Sequence, residues 1–302
     1  MTEPAQHQIT AAGVGLNVLS LGDPDLPTLV MVHGLRDVAW SLIPIAEPLT
    51  DRYHVLLPEL RGHGASDKPN AYSNENFVYD LYCVIQQLAS QPVVLLGHSL
   101  GGHISYRYAA VFPEQVKALV LVEGLGPPRS LERDPALSPL AYYRQRLLEM
   151  FANEPDRRPL PGYEFAAERL QKNNPRLDPH QAQIIARKAV LKGEDGQLRW
   201  AFDSRAQSVF VNVSQTQPED FWRQVQCPTL VISGDLAHEY WGTRRPSEEH
   251  YDGAYAPGEM EARAAIFPRG EHLHFKQSGH MVHYDEPARL TMETRSFLEK
   301  HL

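Results

Sequence analysis

The chain has 302 residues, 42% of them apolar and 22% charged, a balance that suits one large globular domain or one carrying a sizeable insertion. A net charge of -8 with no basic run argues against a nucleic-acid partner. Two well-separated cysteines, Cys83 and Cys227, sit in apolar surroundings and read as reduced, buried thiols, not as a disulfide framework.

The N-terminal MTEPAQHQIT has neither a basic start nor an apolar core, so no signal peptide is expected. No apolar run approaches the ~20 residues that cross a bilayer. The final KHL is too weak a signal to read as a peroxisomal address. These features predict a soluble cytoplasmic protein with no membrane association, a monomer or homodimer.

In chain order, ITAAGVGLNVLSLG predicts an antiparallel hairpin at a sheet edge. Near-continuous aliphatic runs follow at 28–33, 53–58, 92–97, 117–123 and 228–234, with a further strand at 271–276. Runs of this length suit a parallel sheet covered on both faces. Helices are predicted at about 39–50, 75–89, 100–111 and 287–300, and Pro113 helps to end the third. The pattern is α/β, doubly wound.

The strand rhythm breaks between Gly124 and about Trp222, where the chain is polar and proline-rich. LAYYRQRLLEMF has helical spacing, and LDPHQAQIIARKAVL offers Asp178 as an N-cap with Pro179 in the first turn. EDGQLRWAFD reads as a turn into an extended segment. The expected organisation is a core of residues 1–124 and 223–302, interrupted by a helical lid at 125–222.

Chemistry concentrates at GHSLGG, residues 97–102. Gly97-His98-Ser99-Leu100-Gly101 fits G-x-S-x-G between a predicted strand and a predicted helix, the context this motif requires. A strand that turns at once into a helix strains the turn residue, and flanking glycines avoid clashes between the two. The Ser99 hydroxyl would then project over a helix N-terminus. There the dipole and the Leu100 N–H can stabilise an oxyanion. His98, beside it, is assigned to packing.

At this point the chain resembles the α/β-hydrolase superfamily, over nearly its whole length. MVHGLRDVAW is similar to the family's His-Gly oxyanion loop, LPELRGHGASDKP to its arginine-glycine loop and SGHMVHYDEP to its histidine loop. The resemblance implies an α/β-hydrolase fold, a mostly parallel sheet with helices on both faces and an inserted helical lid. It implies Leu35 as the second oxyanion amide, His33 as support for that loop, and His280 as the base a serine nucleophile needs. His283, three residues on, is the competing base.

The position of the acid departs from the family's usual pattern. Most members carry an aspartate three residues after the glycine that ends the seventh strand, and here that residue is Ala237. Asp235 sits too early and Glu239 two places late. At the end of the sixth strand, in LVLVEGLGPP, Glu123 is the first polar residue after four aliphatics. A buried strand-end carboxylate needs a partner, and His280 would supply one. A subset of the family, including some haloalkane dehalogenases and certain polyketide thioesterases, uses this site. Glu123 is therefore the expected acid, with Asp235 the alternative.

The resemblance points to hydrolysis of a small-molecule carboxylic ester or thioester, with no cofactor. Serine at position 99 disfavours dehalogenase and epoxide hydrolase activity, whose family branches place aspartate there. C–C bond or lactone hydrolysis, and a slow-turnover receptor of the same fold, are the alternatives. The lid stretch AAERLQKNNPRLDPHQAQIIARKAV resembles that of serine-hydrolase-like proteins. Some of the thioesterases grip a sulfated chain through an asparagine after the histidine, and Met281 stands there instead. Trp40, Arg205 and Met281 are candidate pocket residues, with Arg199 a further lid arginine. The segment 235–265 mixes Trp241, Tyr251 and Tyr255 with His238, Glu239, His250 and Asp252, without metal-ligand spacing. No metal is expected there; aromatics at a pocket mouth or a partner interface are.

Overall fold

The computed structural model describes residues 3–90, 92–131, 158–212, 216–244 and 252–302, with scattered positions between 138 and 148. Among the described residues there are ten strands: β1 (Ala5–Ala11), β2 (Val14–Leu21), β3 (Thr28–Val32), β4 (His54–Pro58), β5 (Val93–His98), β6 (Val116–Val122), β7 (Val190–Lys192), β8 (Leu198–Trp200), β9 (Thr229–Gly234) and β10 (Gly270–Phe275). Eight form one sheet in the order β1-β2-β4-β3-β5-β6-β9-β10. Strand β2 runs antiparallel to both β1 and β4. Every other pairing in this sheet is parallel.

Alternation along the strands divides the core in two. Val30, Val32, Leu95, Leu119, Leu121 and Val231 face one cluster, which the helices Asn74–Leu88 and Leu100–Val111 cover with Phe77, Leu81, Ile104 and Tyr108. Leu29, Met31, Val94, Leu96, Val120 and Ile232 face the other, under Phe297 and Leu298 of the helix Pro287–His301. Burial on both faces explains the unbroken aliphatic runs. Each such side chain contributes about 1.5–3 kcal/mol on leaving water.

The expected helix at 39–50 is broken into a 3-10 turn at Ala39–Leu42, one α-turn at Ile43–Ala46 and a second 3-10 turn at Glu47–Leu49. Pro44 and Pro48 remove amide donors and interrupt the i→i−4 ladder. Elsewhere the helix Asn74–Leu88 starts on Ser73, whose side chain accepts the Asn76 N–H. Arg61, in the loop after β4, fastens to that helix through a two-pronged buried pair with Asp80, both contacts 2.6 Å. Both cysteines are buried and free.

Between β6 and β9 the chain leaves the sheet. The helix Tyr163–Asn173 packs on Pro179–Ala189, where Asp178 caps Gln181 N–H and Pro179 opens the first turn. The β7–β8 hairpin follows. LAYYRQRLLEMF lies largely outside the described residues. The excursion buries Leu160, Ala166, Ile185 and Ala186 against Val38 and Tyr284, in the loops that follow β3 and β10. It therefore sits on the edge where the parallel strands end. Among the described residues no helix is long and apolar enough to cross a membrane.

Candidate active site

The ends of β5, β6 and β9 lie side by side in register, with His98 opposite Val122 and Val122 opposite Ile232. Ser99, Glu123 and Asp235 each leave a strand end by donating their N–H to the next strand, at 3.0, 2.9 and 3.1 Å. The topology thus delivers three polar residues to one edge. What each can do depends on where its side chain turns.

Ser99 has φ 50° and ψ -116°, a region an ordinary L-residue avoids. This kink lets the helix Leu100–Val111 start at once and cross the sheet at backbone contact. A Cβ on Gly101 would strike the carbonyls of Val32 and His33, and one on Gly102 would lie 2.6 Å from the Gly124 Cα. The two glycines are thus required by the close crossing. The Ser99 hydroxyl is left at the helix N-terminus.

His280, in the loop after β10, places Nε2 3.1 Å from Ser99 Oγ. Its Nδ1 lies 3.1 Å from Glu123 Oε2. With Nδ1–H donated to the carboxylate, the Nε2 lone pair faces the serine hydroxyl. Glu123 is 1% exposed and has φ 48°, a second strained backbone position beside the first. Its other oxygen accepts the Gly234 N–H at 2.9 Å. Burial pushes the Glu123 carboxyl up, to about 8, against the pull of that amide and of His274, Arg263 and His272.

The competing residues are engaged elsewhere. Asp235 Oδ1 meets His274 Nε2 at 2.5 Å on the outer strand. Glu239 accepts Arg176. His283 turns to Asp37, with Nε2 3.2 Å from Oδ2.

Leu100 is the first residue of its helix, so its N–H has no acceptor within it. Leu35 follows Gly34, which passes so close that a Cβ there would meet His98 Nδ1 at 2.8 Å and Ser99 Cβ at 3.2 Å. His33 braces this loop by donating Nδ1–H to Gly34 O (2.8 Å) while Nε2 accepts the Leu60 N–H (3.1 Å). The loop that carries Leu35 thus passes beside the serine at Gly34.

A buried network behind the site is absent from the sequence reading. His98 does more than pack: its Nε2–H donates to the His280 carbonyl at 2.9 Å. Its ring lies 4.4 Å from that of His283, which reaches Asp37. Asp37 also accepts from Ser41 Oγ (2.7 Å), Val38 N (2.9 Å) and Tyr284 OH (2.9 Å). Burial pushes Asp37 up, but the His283 hydrogen bond and charge, with His33 and Ser41, hold it well below the carboxylate range. Burial, then the fields of His283 and His280, keep His98 neutral, its pKa well below the imidazole range. A histidine inside the G-x-S-x-G motif was the one sequence signal for this network.

Trp40 and Met281 pack against the same cluster below the excursion, and Lys188 Nζ sits 3.8 Å from the Trp40 ring centroid. Arg205 grips Asp203, which also accepts Tyr72 OH at 2.7 Å. Arg199 pairs with Asp195 at the β7–β8 turn. In the segment after β9, Tyr255 OH donates to Gly126 O. Among the described residues the grouping with ligand-like spacing is Asp37, His98 and His283, and it lies outside 235–265.

This strand order, elbow and strand-end site define the α/β-hydrolase architecture. The chain belongs to the α/β-hydrolase family, whose model, described as alpha/beta hydrolase fold, matches residues 27–287. An uncharacterized protein of Mycobacterium tuberculosis is 35% identical over 101 residues, covering 33% of this chain and 30% of that one. The match thus spans about a third of that relative's length. Epoxide hydrolase A of the same organism is 27% identical over 155 residues, covering 50% of this chain and 47% of its own. Human serine hydrolase-like protein 2 is 24% identical across 90% of this chain and 87% of its own. The thioesterase domain from the curacin biosynthetic pathway superposes with TM-score 0.81 at 24% identity, covering 97% of this chain and 99% of that one. That structural likeness establishes shared fold.

Proposed function

We propose that the protein is a serine hydrolase that cleaves a carboxylic ester or thioester through an acyl-enzyme. The observation that carries this reading is the unbroken hydrogen-bonded run Ser99 Oγ to His280 Nε2 and His280 Nδ1 to Glu123 Oε2, each 3.1 Å. The relatives with hydrolase names and the thioesterase-domain likeness support it.

In this reading His280 Nε2 takes the hydroxyl proton as Ser99 Oγ bonds to the acyl carbon. The carbonyl electrons move to oxygen, and the Leu35 and Leu100 amides hold that oxyanion. Glu123 faces the new imidazolium and fixes its tautomer. The tetrahedral species collapses, the bond to the leaving oxygen or sulfur breaks, and that atom takes the proton from His280. Water then attacks the acyl carbon while giving its proton to His280. The second tetrahedral species collapses, the bond from Ser99 Oγ to the acyl carbon breaks, His280 returns its proton to Oγ, and the acid leaves. The excursion over the strand ends serves as a lid, with Trp40 and Met281 at its floor.

A fluorophosphonate probe and a panel of p-nitrophenyl esters and acyl thioesters test this. Wild type labels and hydrolyses, while Ser99→Ala does neither. A wild type that neither labels nor turns over any panel member points instead to a binding protein of this fold.

A further inference from the structure

Tyr240 lies face to face with His280, with ring centroids 4.1 Å apart and planes 11° from parallel. Trp241 meets the same imidazole edge-on, at 5.0 Å and 70°. Both belong to the single helical turn His238–Trp241 that follows β9. Glu239, in that turn, accepts Arg176 from the excursion at 2.8 and 3.3 Å. Arg176 Nε stands 3.0 Å from Asp285 Oδ2, which accepts the Gly279 N–H at 2.7 Å. One arginine thus ties the aromatic turn to the loop that carries His280.

The face of an aromatic ring is the negative part of its quadrupole, so it attracts an imidazolium more strongly than a neutral imidazole. That difference arises only once His280 holds the serine proton, which is when it accelerates a reaction. The other groups around His280 do not supply it. The His98 ring, from β5, has its centroid 5.2 Å from that of His280, and His103, on the helix Leu100–Val111, lies within electrostatic reach of it. Burial first, then the fields of His283 and His280 at His98 and of Arg107 and Arg263 at His103, keep both below the imidazole range. Glu123 holds the Nδ1 edge, and Asp285 lies along the loop backbone. Tyr240 covers one face of the ring.

We propose that Tyr240 is a positioning residue whose ring face stabilises protonated His280 and sets its plane between Ser99 and Glu123. The kinetic arm of the test rests on the hydrolase reading; a second arm does not. With an ester that wild type hydrolyses, Tyr240→Leu lowers kcat about 3–10-fold and leaves KM within about twofold. It also moves the acid limb of kcat/KM down by about half a pH unit. Tyr240→Phe, which keeps the ring, matches wild type.

The second arm follows His280 by imidazole nitrogen NMR, its signal assigned by loss in His280→Gln. No substrate is needed, so this arm decides even if no ester is cleaved. The expected result is a lower His280 midpoint in Tyr240→Leu and an unchanged one in Tyr240→Phe. Should the leucine variant not fold, Tyr240→Met takes its place. Equal midpoints in all variants, or a phenylalanine variant as affected as the leucine one, overturn the proposal.

Discussion

Glu123 leaves β6 with a φ of 48° and brings Oε2 to within 3.1 Å of His280 Nδ1, while its other oxygen is fixed by the Gly234 amide. The carboxylate therefore reaches the histidine from the sixth strand in sequence order of the main sheet, the position before the inserted excursion. Asp235, at the next strand end, spends its charge on His274. Replacing Glu123 by Gln keeps the shape but removes the charge and permits the wrong imidazole tautomer. The expected loss in kcat is on the order of 10^3-fold or more. Asp235→Ala should stay within about twofold. Steady-state kinetics on both variants check this, and the reverse ranking would move the acid to β9.

The same burial gives a pH signature. In the proposed mechanism the active form has Glu123 ionised and His280 neutral, so the pair must shed its shared proton. Burial raises the carboxyl to about 8, which favours retention of that proton. Activity should therefore rise with pH along an acid limb that lies above the ordinary imidazole value and toward 8. In Glu123→Gln the residual limb should fall back toward that of a lone histidine. A kcat/KM profile between pH 5 and about 9 reads both. A wild-type limb at or below the ordinary imidazole value would contradict this assignment.

Legibility in the sequence followed the range of the interaction. The β5 elbow is local: strand, G-x-S-x-G and helix are contiguous, and Ser99 sits where that pattern puts it. Glu123 is legible because a charge at the end of an aliphatic run must find a partner. The stretch after Val38 has the apolar content of one helix, but Pro44 and Pro48 break it into three short turns. In the network Asp37–His283–His98 only His98, at the end of β5, sits in a motif; Asp37 from the loop after β3 and His283 from the helical turn after β10 are brought to it by the strand order. Tyr240 over His280 was equally hidden, because the segment after β9 carries no periodicity from which to place a ring. Arg205 is conspicuous in the sequence as a cation of the inserted segment, whereas its pairing with Asp203 two residues away depends on side-chain geometry that spacing does not reveal.

Backbone contact at the elbow makes Gly101 a sharp test of packing. A methyl there meets the carbonyls of Val32, the last residue of β3, and of His33 just beyond it, backbone groups that cannot rotate away as a side chain would. Overpacking of this kind costs about 1–3 kcal/mol or more, which for a chain of this size is a fall in Tm of several degrees. Gly162 is the control: its backbone is extended, and a Cβ would meet only the mobile end of Glu164 at 3.2 Å. Gly162→Ala should leave Tm nearly unchanged. Thermal melts of Gly101→Ala and Gly162→Ala separate them, and equal melts would mean the helix can lift off the sheet freely.

Acid stability should depend on Asp37. Its folded pKa is held well below the unfolded carboxylate value, with burial opposed and overcome by His283, His33 and Ser41. A depressed folded pKa contributes stability that is complete above the unfolded value and is lost as pH falls toward the folded one. Urea midpoints for wild type should therefore drop as the solution is taken below about pH 4. Asp37→Asn should be less stable at neutral pH, because His283 loses its anion and Tyr284 and Ser41 lose a charged acceptor. Its midpoint should then fall less steeply below pH 4, since that proton no longer binds. Parallel slopes in the two proteins would place the acid-sensitive carboxylate elsewhere. Because His98 links this group to the His280 carbonyl, Asp37→Asn should also weaken labelling of Ser99 at neutral pH before it unfolds the chain.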